Sequence, residues 1–498
     1  MIRLLFLLHR YLGIGVGLIM LIWTLSGIIM MYQEYPELDA REQLALLSPL
    51  EVANCCELPD SRLLRDENFS DARIEMLGEV PVLRASSLER GLLTYDLRQG
   101  TRIDSITESK AQALANAFTS SHLPGAIATL SAQIFNDQWT VYGAYNPLRP
   151  LYKFTVDDAA GTELYISSKT GEIVQLTTSS QRFWGFAGAV IHWLYPTILR
   201  QHTALWAQVV IWLTILGIFL TLTGLYIGIR QFRARANGRL SPYRGMALYH
   251  HYAGLIFGVL TLTWVASGLL SMNPWGALEG EGGRAEAQRL TERPLTWRDI
   301  ESVLQRLPQT NPGLAVRAQL SVLRGDAQLI AYAGTGAGER LNPMTFRPQP
   351  LTNQDLSQLA TRLRPEAEIR SETLISESDA YYYDHHEALE FPVYRVSLAD
   401  DQNRIYYLSP LSGMLLRKVD SELRLYRWLF YGLHRGDFTA WLRSRPVWDS
   451  FMLLFLLGVA LVCGTGSYMA IRRLRRDMML KRHRAQIAPS FGEGLEEF

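Results

Sequence analysis

LHRYLGIGVGLIMLIWTLSG at residues 8–27 returns in mid-chain as YHHYAGLIFGVLTLTWVASG at residues 249–268. His9 matches His250, Gly13 matches Gly254, Gly17 matches Gly258, Trp23 matches Trp264, and Ser26–Gly27 matches Ser267–Gly268, all at an offset of 241. Each copy is mostly apolar and long enough for a helix to cross a hydrocarbon core, which takes about 20 residues. The first copy does not read as a secretory leader, because its apolar part is long, no small-residue cleavage site follows it, and its twin lies in mid-chain.

The match continues at an offset of 242: His192 with His434, Trp206 with Trp448, Gly224 with Gly466, Tyr226 with Tyr468, Arg230 with Arg472, and Gly171 of SKTGEIV with Gly413 of PLSGMLL. The pattern predicts a tandem duplication of helix, outer domain and helix, with a pseudo-two-fold axis along the membrane normal. Four spans are expected, at residues 11–32, 205–229, 248–271 and 448–471. Arg230, Arg233, Arg235, Arg239 and Arg244 follow the second span, Arg472, Arg473, Arg475, Arg476, Lys481, Arg482 and Arg484 follow the fourth, and Arg3 and Arg10 lie at the N-terminus. Positive charge marks the cytoplasmic side, so both termini are expected there, in a bacterial inner membrane.

The expected division is a first span at 1–32, an outer domain at 33–182, a pre-span segment and second span at 183–230, and a basic loop at 231–247. The third span at 248–271, a second outer domain at 272–425, a pre-span segment and fourth span at 426–472, and a basic tail at 473–498 complete it. A net charge of +1 gives no reason to expect nucleic acid. With three cysteines, no disulfide framework is expected. Cys55 and Cys56 read as incidental neighbours, with a vicinal disulfide or a reactive thiol as alternatives, and Cys463 as lipid-buried packing.

Each outer domain reads as α+β, a polar helix (about 107–119, and 353–363) preceding alternating strands. These are QWTVYGAY, LYKFTVD, TELYISS and GEIVQLTT in the first, and DAYYYDH, PVYRVSLAD, RIYYLSP and GMLLRKVD in the second. The fold class is therefore a membrane four-helix bundle carrying two outer α+β domains.

Ionisable side chains near spans are costly and mark function. By the pseudo-two-fold, His9 faces His250 near the inner surface and His192 faces His434 near the outer one. Gly13 and Gly254 lie four residues beyond their histidines, on the same helix face, and leave room for a flat macrocycle or a neighbouring helix. Two opposed imidazoles without a carboxylate or thiolate suit a bis-histidine haem better than a zinc ion, which takes four ligands. Arg10, Arg435 and Arg200 are placed to meet haem propionates. His251 is the alternate to His250, and His202 to His192. The bland reading makes these histidines polar anchors and the glycines packing sites. His385 and His386, in YYYDHHE, form a candidate site for a metal or its chelate; the competing reading is an aromatic strand ending in a polar hairpin.

LHRYLGI and YHHYAGL at the span starts, SSKTGEIV, WLFYGLHRGDF, RPVWD, and YYYDHH followed by FPVYRV together resemble the PepSY-associated transmembrane-helix family, across nearly the whole chain. The resemblance implies PepSY modules in the periplasm and two b-type haems bound by His9, His250, His192 and His434. The family includes di-haem reductases of ferric siderophores, which implies a quinol or cytoplasmic flavoprotein as donor and a periplasmic ferric chelate as acceptor. PepSY modules also occur in protease propeptides, so a non-redox anchor that binds peptides or restrains proteases is the rival. A transporter is disfavoured, since no span carries an interior acid or a proline break. No nucleotide-binding glycine motif follows a strand, so the donor is a separate molecule.

Overall fold

A computed structural model describes residues 2–53, 55–310, 313–385 and 389–487. The chain divides into two compact units. The helical unit takes Met1–Glu34, Trp184–Leu278 and Leu425–Phe498; the β-rich unit takes Tyr35–Phe183 and Glu279–Arg424.

Three helices of the first unit are long and apolar enough to cross a membrane: Thr203–Gln231, Met246–Ser271 and Val447–Met479 of the helix Val447–Ile487. The first span differs from expectation. Helix begins at Ile2, and Ile2–Gly15 and Gly17–Met30 meet at a bend of 51°, making a fourth span if the pair is counted as one. The bend falls where Gly13, Gly15 and Gly17 crowd into one turn, and glycine is the weakest ordinary helix former. The amides of Val16 and Met20 still bond to Leu12 and Val16, so the ladder carries through the break. The bent pair packs on the second helix, the second on the third, the third on the fourth, and the fourth on Gly17–Met30. Side chains on the outer faces are apolar, including Trp212, Ile256, Val259, Leu454 and Leu457. Such a surface suits lipid, where every backbone bond is met within its own helix.

The β-rich unit begins with β1 (Asn68–Leu77), β2 (Val80–Ser87), β3 (Gly91–Asp96) and β4 (Thr101–Arg102), then β5 (Ala128–Ile134), β6 (Leu151–Val156), β7 (Glu163–Ser167) and β8 (Ile173–Thr177). From the later segment come β9 (Leu295–Thr296), β10 (Ala315–Leu323), β11 (Asp326–Ala333) and β12 (Gly338–Leu341), then β13 (Ile369–Ile375), β14 (Val393–Leu398), β15 (Ile405–Leu408) and β16 (Leu415–Val419). Two antiparallel sheets have the same order, β5-β6-β7-β8 and β13-β14-β15-β16. Helix Glu108–His122 shares a core with the first through Ala111, Ala115, Phe118 and Phe154. Helix Asn353–Leu363 does so with the second through Leu356, Leu359, Val396 and Tyr406.

The segments read as separate domains are joined by a third sheet, ordered β12-β11-β10-β1-β2-β3-β4, with β9 on β1. β1 and β10 pair antiparallel, with Arg73 opposite Gln319 and Glu75 opposite Arg317. Phe69, Ile74 and Leu83 share its core with Trp297, Ile300 and Leu320, so neither segment closes this core alone. Glu75, 1% exposed, binds Arg317 at 2.5 Å, Arg84 at 3.2 Å and Arg73 at 3.4 Å. Breaking a buried ion pair from one side leaves charge uncompensated. Glu75→Leu is therefore expected to cost about 3–5 kcal/mol, read by denaturant unfolding of the β-rich unit.

DAYYYDH is a loop rather than a strand, and QWTVYGAY is a loop that runs into the 3-10 turn Gly143–Leu148. The Asp137 carboxylate accepts the Trp139 amide at 2.9 Å, and Asp379 accepts the amides of Tyr381 and Tyr382 at 2.8 Å. An aspartate that bonds the backbone two residues on makes a turn. The same carboxylates then accept the hydroxyls of Tyr165 and Tyr407, fastening each loop to its sheet. Cys55 and Cys56 are also not incidental: they are joined as a vicinal disulfide.

Candidate functional site

Four imidazoles meet in two pairs inside the helical unit. The rings of His9 and His250 lie 6.3 Å apart between centroids, and those of His192 and His434 lie 6.2 Å apart. His9 is the eighth residue of helix Ile2–Gly15, and His250 the fifth of helix Met246–Ser271. His192 and His434 follow short π-helical turns, Phe186–Val190 and Arg427–Gly432. Such turns shift the helical register and aim a side chain that a regular helix would not.

Every one of the four rests on the same seat, taken from a neighbouring helix. His9 Nδ1 bonds the Leu220 carbonyl at 3.1 Å, with the Thr223 hydroxyl at 3.5 Å. His250 Nδ1 bonds the Val462 carbonyl and the Thr465 hydroxyl, both at 3.1 Å. His192 Nδ1 lies 3.0 Å from the Trp23 carbonyl and 3.3 Å from the Ser26 hydroxyl. His434 Nδ1 lies 3.2 Å from the Trp264 carbonyl and 3.1 Å from the Ser267 hydroxyl. Each hydroxyl donates to a backbone carbonyl of its own helix, Ser26 and Ser267 to the one that seats the ring and Thr223 and Thr465 to that one or its neighbour, so it receives the imidazole proton rather than giving one. Nδ1 is thereby the protonated nitrogen, and the tautomer leaves the Nε2 lone pair as the donor.

The residue after each hydroxyl is glycine. A Cβ on Gly224 would lie 2.7 Å from His9 Cε1, one on Gly466 3.1 Å from His250 Cε1, one on Gly27 3.3 Å from His192 Cε1, and one on Gly268 3.6 Å from His434 Cε1. Carbonyl, hydroxyl and glycine fall at i, i+3 and i+4, on one face of the helix. Burial depresses the pKa of His192 and His434, and for His434 the charge of His192, if protonated, and of Arg435 would depress it further. Both shifts favour the neutral imidazole, the form that ligates metal.

The residues fit a centre held between two rings. Metal–imidazole bonds of about 2.0 Å, with about 1.1 Å from ring nitrogen to ring centre on each side, set centroids about 6.2 Å apart across one ion. A Cβ at Gly13 or Gly254 would meet no other atom within 4 Å, so neither glycine is held to its place by crowding. His250 and the Ser267–Gly268 seat lie on one helix, and a rise of 1.5 Å per residue puts the two pairs about 25 Å apart along it.

The alternates stand elsewhere. His251 is buried, but its Nδ1 meets the Ser241 hydroxyl at 2.7 Å and its Nε2 the Gly228 carbonyl at 2.8 Å, so both nitrogens are engaged. His202 is exposed at the start of helix Thr203–Gln231. Arg10 is exposed; the Arg435 guanidinium lies over the rings of Phe430 and Tyr431, and that of Arg200 over Tyr195 and Trp206. His385 meets Tyr383 edge-on at 6.0 Å, and His386 lies outside the described residues. Among the described residues no group of three or more His, Cys, Asp or Glu is placed to hold a metal ion.

Two tryptophans that sequence reasoning matched without giving them a role hold the pre-span histidines in place. Trp206 Nε1 donates to the Trp193 carbonyl at 2.9 Å, and Trp448 Nε1 to the Arg435 carbonyl at 2.7 Å. Each acceptor is the residue after a paired histidine. Trp448→Phe is expected to cost about 1 kcal/mol, the net worth of one hydrogen bond, as a lowered thermal midpoint. The surroundings are not identical: Phe430 stacks on His434 at 5.2 Å, where the matching position before His192 is Gly188.

These features define a class: a membrane protein whose apolar helices enclose two facing histidine pairs and whose chain also forms an antiparallel α+β unit. The family described as the PepSY-associated TM region matches residues 6–473, and the chain belongs to that family. No curated protein matches it.

Proposed function

We propose that the protein is an inner-membrane electron-transfer protein with two b-type haems, one at each histidine pair. The observation that carries this reading is the repeated geometry: two ring pairs, each 6.2–6.3 Å between centroids, each ring with its Nδ1 proton committed to a carbonyl. Haem bound there supplies one-electron chemistry. The chain's part is to fix the tautomer, hold the rings at bonding distance and keep them neutral and dry.

The reading carries a four-helix bundle built by tandem duplication, with His9 and His250 near the cytoplasmic face and His192 and His434 near the outer face. The Arg-rich loop and tail support that orientation. Electrons come from a quinol or a cytoplasmic flavoprotein and leave to a ferric chelate on the outer side, where ferrous iron binds hard oxygen ligands less firmly.

A reduced-minus-oxidised spectrum of the purified protein, with haem quantified per chain, is the test. Two haems per chain are expected. Absence of a Soret shift and an α band on reduction returns the protein to the rival class, a non-redox anchor whose outer modules bind peptides.

A further inference from the structure

The β-rich unit contains an open cleft of about 430 Å³ that the histidine pairs do not account for. Gly280, Gly282, Gly283, Arg284 and Ala287 line one side, and residues 415–418 of β16, with Asp420 and Leu423, line the other. A volume of this size suits a small molecule.

The charges of the cleft do not all cancel. Lys418 is spent on Glu281 and Glu286, at 3.1 and 3.0 Å. Asp420 is held by the amides of Glu281 and Leu423, at 3.2 and 2.8 Å. Arg284 is exposed and has no carboxylate partner among the described residues. Arg417 uses one nitrogen on the Tyr381 carbonyl at 2.6 Å and lies over the Tyr382 ring. A guanidinium has five donors, and its planar fork matches a carboxylate.

The shared sheet architecture does not require these charges. In β16, Arg417 stands opposite Tyr407; in β8, the residue opposite Tyr165 is Gln175. Gln175 makes the equivalent bond, to the Trp139 carbonyl, without any charge. Leu176 and Thr178 stand where the later segment has Lys418 and Asp420. The basic cleft is thus a departure of one sheet from its counterpart. From Leu423 at its wall, the chain runs on directly into the segment that carries His434.

We propose that this cleft binds a small carboxylate-bearing metal chelate. Arg284 and Arg417 hold the carboxylates, and Ala287, Leu415, Leu416 and Leu423 pack on the apolar body. The metal rests on the electron-transfer reading; the anion site stands on the cleft alone.

Calorimetric titration of the full-length protein in detergent with gallium(III) citrate tests it. Gallium(III) is not reduced under these conditions, so binding is read without electron transfer. Saturable binding is expected, weakened at least tenfold by Arg284→Glu and by Ala287→Phe, which fills the cleft. A neutral gallium trihydroxamate should show no dependence on Arg284. No saturable heat with gallium citrate, or an affinity unchanged in both variants, overturns the proposal. Equal binding of metal-free citrate overturns the chelate assignment. Protein with haem bands but no binding sinks the cleft and spares the electron-transfer reading; protein that binds but carries no haem does the reverse.

Discussion

His250→Ala is expected to remove one of two haem signals and leave the other. The lost ring supplies half the ligands of its pair, 6.3 Å from His9, while the rings of His192 and His434 rest on other seats. Haem per chain should fall from two to one, and His9→Ala should give the same residual spectrum as His250→Ala. His192→Ala and His434→Ala should remove the complementary signal. His251→Ala and His202→Ala should keep both haems, because His251 has both nitrogens engaged and His202 is exposed. Loss of a signal with His202→Ala but not with His192→Ala would reverse the assignment of the outer pair.

The second large effect is expected from a methyl group. Gly224→Ala places a Cβ 2.7 Å from His9 Cε1, closer than real Cβ contacts come, and the ring must move. A displacement of about 1 Å cannot be absorbed by a metal–nitrogen bond of about 2.0 Å, so haem occupancy at the pair of His9 and His250 should drop at least tenfold. Gly268→Ala is the control. Its Cβ would lie 3.6 Å from His434 Cε1, an ordinary contact, and occupancy at the other pair should hold. Equal losses in both variants would mean that the glycines matter to helix packing in general, not to the imidazoles they face.

The paired histidines were legible because repetition singles them out: four of ten histidines have a partner at a fixed offset, and each sits at the edge of an apolar run. Their seats were not legible. Which helix face meets which ring depends on contacts between helices, and one sequence does not encode that register in any local pattern. A signal did exist. A hydroxyl residue followed by glycine occurs at Ser26–Gly27, Thr223–Gly224, Ser267–Gly268 and Thr465–Gly466, once in each apolar run. Strand reading failed at QWTVYGAY because alternation over so short a run is mimicked by a turn with aromatic residues facing inward. Asp137, just before it, was the turn former that went unread. The joining sheet escaped because pairing between segments so far apart leaves no periodicity in either.

That joining sheet makes the two repeats interdependent through main-chain bonds as well as through a shared core. β1 and β10 are each flanked by their own hairpin on one side and by each other on the second. Expressed by itself, the first half would bare the edge of β1, where Ala72–Glu75 pair with β10 and Asn68 and Phe69 with β9, to any strand that came near. Proteolytic nicking of the arginine-rich linker at Gly238 should accordingly leave the fragments zipped together, migrating as one species until a denaturant melts the seam.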